Sequence, residues 1–168
     1  MASVSLLVVF PFLMAYAAVR DLLTMLIPNT VSVALIVGFA VFAAATGLGW
    51  NDLYGHLGAG AATLLVTFTL FAFGFIGGGD AKLAAATALW IGFDQLAGYL
   101  VIASLAGGVL TLTLLALRLQ PLPPAVARFP FVLHLHDTKT GVPYGIALAL
   151  SALLVLPDTA IWLRLVAV

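Results

Sequence analysis

Gly77-Gly78-Gly79-Asp80-Ala81-Lys82 lies between two long apolar stretches, Leu57 to Phe75 before it and Ala84 to Phe93 after it. Glycine admits positive φ and close backbone approach, so a run of three ends a helix and lets other groups come near. The run closes on an acid and a base in a chain where only 7% of residues are charged. An aspartate between apolar spans costs roughly 3 kcal/mol or more when it faces lipid, so Asp80 requires water, a partner or a function. The partner expected is Asp21.

The chain has 168 residues, 64% of them hydrophobic, with a mean hydropathy of +1.26. Soluble domains hold roughly 45–50% apolar residues. The fold class is therefore an all-α polytopic membrane protein. Length and the lack of any polar block imply a single transmembrane domain over residues 1–168. A formal net charge of zero gives no electrostatic case for nucleic acid. With no cysteine, disulfides, thiolate metal sites and cysteine nucleophiles are excluded together. All six acids are aspartates, few enough to weigh singly.

Six apolar segments follow in order. They run from Ser3 to Val19, Thr30 to Thr46, His56 to Phe75, Ala81 to Phe93, Leu96 to Leu117 and Val142 to Leu156. The first resembles a secretory signal, with Ala15-Tyr16-Ala17 as a cleavage lookalike. A signal wants a basic start, however, and the first positive charge here is Arg20, after the apolar run. That order favours an uncleaved span with its N-terminus outside, kinked at Pro11. Asn29 or Thr30 is expected to cap the second helix, and Asp94-Gln95 to turn between the fourth and fifth. Gly47 to Gly55 reads as a loop, and Arg118 to Gly141 as the one long polar stretch.

Six spans with an outside N-terminus put Arg20, Lys82, Arg118, Arg128 and Lys139 on the inner side and only Arg164 on the outer. That is a positive-inside pattern. It places Asp21 and Asp80 on the same, cytoplasmic face. The fourth segment is short: its thirteen residues cover roughly 20 Å, against about 30 Å of hydrocarbon. The glycine run is thus expected to dip into the membrane beside a wet, protein-walled pocket. Small residues at Gly58, Gly60, Ala84 to Ala86, Ser104, Gly107 and Gly108 suit close helix packing.

Two carboxylates sharing a pocket do not both ionise easily, so one keeps its proton near neutral pH. The ionised member can take a proton from water while the protonated one hydrogen-bonds a scissile carbonyl. This chemistry calls for no metal and no other cofactor. Intramembrane acids also serve ion and proton transport, so a small transporter with Asp21 and Asp80 as relay acids stays open. A structural membrane scaffold is a third possibility.

Gly77-Gly78-Gly79-Asp80 fits the GxGD signature of intramembrane aspartyl proteases, and its Ala81-Lys82-Leu83 extension resembles that of the type IV prepilin peptidases. Arg20-Asp21 followed by Ile27-Pro28-Asn29 is similar to the stretch that carries that family's first catalytic aspartate. The likeness extends to Val142-Pro143-Tyr144-Gly145. It implies a multi-pass enzyme of the bacterial inner membrane. Such an enzyme removes the short basic leader of prepilins or pseudopilins at the cytosolic side, cutting after a glycine. The chain is most similar to the short branch serving Flp-type, tight-adherence pili, for which methylation and S-adenosylmethionine are not expected. Substrate and membrane lipid are the implied partners.

Each candidate has a plainer alternative. Asp80 is expected to be catalytic, against an ordinary helix cap; Asp21 is its expected partner, against a solvated charge paired with Arg20. Gly77 and Gly79 supply freedom beside the acid. Lys82 is either a substrate-steering charge or a positive-inside anchor, and Pro28-Asn29 a helix break and cap. His134 and His136 lack a settled third ligand, so no metal is expected there. Asp52, Asp94 and Asp158 read as turn residues on the outer side. No Lys-Ser or Lys-Thr follows the glycines, which excludes a P-loop.

Overall fold

A computed structural model describes residues 2–166, with side chains for 8–164. Among these residues the protein is all-helical. The elements are α1 (Ala2–Thr24), α2 (Asn29–Thr46), α3 (Trp50–Ala72), α4 (Gly78–Arg118), α5 (Pro124–Ala127), α6 (Pro130–His136), α7 (Gly145–Val155), a 3₁₀ turn (Leu156–Asp158) and α8 (Ala160–Val166). α2, α3 and α4 are each long and apolar enough to cross a membrane, and Gly145–Asp158 is a shorter apolar piece.

α4 is two helical arms, 78–91 and 93–118, broken at Gly92 (φ 72°, ψ 173°). In a straight helix Tyr99 would stand about 28 Å along the axis from Asp80. Instead the Tyr99 side chain comes up to Thr87 and within reach of the Asp80 charge, so the chain doubles back. The reversal lies two residues before the expected Asp94-Gln95 turn; Asp94 is already helical. A distant side chain meets the break. A regular helix would use the Leu89 carbonyl to accept the N–H of residue 93, and here His56 of α3 occupies that carbonyl, Nδ1 to oxygen, at 2.8 Å.

Other boundaries move for local reasons. α2 and α3 each end in a glycine with left-handed φ, at Gly47 and Gly74. Leu48 N–H donates to Ala43 O and Phe75 N–H to Leu70 O, which closes a Schellman turn after each helix. The loop expected over Gly47 to Gly55 shrinks to 47–49, because α3 starts directly after its N-cap Gly49, and Asn51 and Asp52 join α3. The stop after α3 comes from Gly74 rather than from the triple glycine. α1 runs through Pro11 as one helix. The polar stretch after α4 holds two short helices, tied down by Arg118, whose guanidinium donates to Leu135 O, Thr140 Oγ1 and Gly141 O.

Trp90, fully buried, is the centre of the core. Phe10, Phe39 and Phe42 pack around its ring, and its Nε1–H donates to Leu35 O at 3.0 Å. Small residues share the interior of the first arm with Leu83 and Ile91: Ala81, Ala84, Ala85, Ala86 and Ala88 are all buried. Large apolar side chains such as Phe12, Leu65, Leu105 and Leu112 point outward. Small inside and large outside suits helices whose outer solvent is lipid, where close backbone approach replaces the hydrophobic effect. Of the small residues singled out in the sequence, Gly58 lies against Phe93 and Gly60 against Leu89, while Gly108 faces open space.

Candidate active site

Polar groups collect at the two ends of the bundle. At one end Asp52 pairs with Arg164 at 2.6 Å, near His56 and Asp94, around a small cavity of about 160 Å³. At the other end lie Asp21, near the end of α1, and Asp80, in the first turn of α4. Two helix termini thus bring one carboxylate each to the same end.

Asp21 is only 5% exposed, and its Oδ2 accepts the Gly145 N–H at 2.7 Å. That N–H belongs to the first turn of α7, where backbone donors lack intrahelical partners and favour negative charge. The simpler role, a solvated charge paired with Arg20, does not occur; Arg20 Nε has no hydrogen-bond partner among the described residues. Asp80 is half-buried and is not the helix cap. Gly77 is the N-cap, and the Asp80 carboxylate turns back toward the Gly77 backbone N–H. This is half of a capping box, and it leaves the rest of the carboxylate free. Asp21 is close enough for its charge to act on Asp80.

The remaining candidates fall into place around this pair. Gly79 packs against Ile27: a Cβ there would stand 3.2 Å from Ile27 Cβ. Pro28 is the N-cap of α2 and makes no side-chain cap bond. Asn29 does not cap α2 either; its Oδ1 accepts Lys82 Nζ at 3.0 Å, linking the two segments. Lys82 and Asn29 form the polar end of an apolar groove of about 630 Å³, lined by Ile36, Ala61, Leu64 and Leu89 among others. No cluster of metal-ligating side chains occurs among the described residues, and His134 lies exposed in α6.

Tyr144-Gly145 carries no carboxylate, yet Gly145 supplies the donor that holds Asp21. The two are 124 residues apart. The only signal in the sequence was a glycine placed just after a proline and a tyrosine at the start of an apolar run.

Over residues 8–112 the chain matches the family model described as the type IV leader peptidase family. That span includes Asp21, Pro28-Asn29 and the whole Gly77-to-Lys82 stretch. No curated protein and no solved structure matches the chain.

Proposed function

The chain belongs to the type IV leader peptidase family, and from that premise we propose that it is an aspartic endopeptidase that cuts the leader from prepilins or pseudopilins. In this reading Asp21 and Asp80 share one proton. One takes a proton from the attacking water, and the other donates a hydrogen bond to the scissile carbonyl. The observation that carries the reading is two acids from separate helix ends meeting at one end of an apolar bundle, Asp21 held by the Gly145 N–H and Asp80 in the first turn of α4 within reach of the Asp21 charge. Family membership favours this role over a relay pair in a transporter. The reaction takes place at the cytoplasmic face of the bacterial inner membrane, in a multi-pass chain whose N-terminus is outside. The substrates are those of Flp-type pili, as the similarity to the short branch suggests. Lys82 and Asn29, joined by their hydrogen bond, hold the start of α4 against α2 beside the reacting acids.

Co-expression with a prepilin tests this. Asp21→Asn and Asp80→Asn are each expected to leave the prepilin at full length while the variant still accumulates in the membrane. Normal shortening of the prepilin by either variant would remove that residue from the catalytic pair.

A further inference from the structure

We propose that Ile27, Tyr144 and Gly145 form a clamp that fixes Asp21 relative to the turn carrying Asp80, and that they are positioning residues of the peptidase. The proposal rests on the reading of Asp21 and Asp80 as the reacting pair.

The contacts form a closed chain. Gly145 lies against Asp21 as tightly as a backbone can. A Cβ there would stand 2.8 Å from Asp21 Oδ2, 3.1 Å from Asp21 Cβ and 2.8 Å from Ile27 Cδ1. Ile27 touches Gly145 on one side and Gly79 on the other, so one side chain separates the segment that holds Asp21 from the residue before Asp80. The segment leading to Ile27 is itself strained into shape: Met25 has φ 54°, a conformation non-glycine residues seldom adopt. Tyr144 completes the clamp from behind. Its ring occupies the place a Cβ on Gly107 would need, which seats the start of α7 on the second arm of α4.

Gly79 and Gly145 therefore do more than bend the chain. Their missing side chains are the space in which Ile27 and Asp21 sit. Contacts this close make the arrangement stiff, because a shift of either segment toward the other meets atoms already in contact. A reacting pair displaced by about 1 Å loses on the order of 100-fold in rate, so such stiffness bears on chemistry rather than on folding alone.

Kinetics of the purified full chain on a prepilin in detergent test the clamp. Gly145→Ala is expected to lower kcat by about 10- to 100-fold with KM near wild type, under conditions where thermal unfolding shows the variant still folded. Ile27→Val removes Cδ1, one of the atoms the new methyl meets, and in the Gly145→Ala background it is expected to recover part of the lost rate. Gly108→Ala, which adds a methyl facing open space, is expected to keep the wild-type rate. An active wild type with an unaffected Gly145→Ala overturns the clamp alone. A loss that tracks unfolding and is not relieved by Ile27→Val overturns it too, as a purely structural contact. No cleavage by the wild-type chain overturns the peptidase reading beneath it.

Discussion

At the scale of single residues, two distant contacts hold the ends of the bundle: the Gly145 N–H on Asp21 Oδ2 at 2.7 Å and His56 Nδ1 on Leu89 O at 2.8 Å. Asp80 stood out because three glycines precede it, a local signal. The Gly145 N–H that anchors Asp21 was hidden, since a backbone donor leaves no mark on composition or periodicity. His56 was hidden for the same reason: it read as the first residue of an apolar span, and its structural task depends on a break 36 positions later in the chain. That task is testable. His56→Ala leaves the Leu89 carbonyl without its donor and is expected to lower stability by about 1–3 kcal/mol, read by thermal unfolding in detergent. The exposed pair at the same end is a contrast. Asp52 and Arg164 side chains are 43% and 54% exposed, so Asp52→Ala is expected to cost under about 1 kcal/mol.

At the scale of elements, hydrophobic runs located every major helix, and their ends were set by chemistry the runs do not show. A start at the Gly49 N-cap lengthened α3, and a Schellman turn at Gly74 shortened it at its end. The two-armed α4 was legible as two segments, yet the turn was placed at Asp94-Gln95 because polar residues mark turns on average. The chain turns at Gly92 because φ 72° with ψ 173° is open to glycine almost alone. Gly92→Ala is therefore expected to destabilise by about 1–3 kcal/mol from the backbone. The added methyl would also stand 2.9 Å from the His56 ring. The same unfolding measurement checks it. A stability unchanged by Gly92→Ala would show that the arms do not depend on that conformation.

At the scale of the whole molecule, a charge count and a greasy composition were enough to anticipate an all-helical membrane bundle with both acids at one end. The expectation that most Lys and Arg face the cytoplasm gives an orientation that the cysteine-free chain makes easy to probe. In spheroplasts, a membrane-impermeant maleimide added outside is expected to label Asp52→Cys and to spare Lys139→Cys; the reverse pattern would invert the topology. The central claim is that Asp21 and Asp80 act as one unit, and residues that do so give losses that are far from additive. The direct measurement is kcat/KM on a prepilin for Asp21→Asn, Asp80→Asn and the double variant. Each single variant is expected to fall to the level of the double. Losses that multiply, or a single variant that retains substantial cleavage, would contradict a shared catalytic pair.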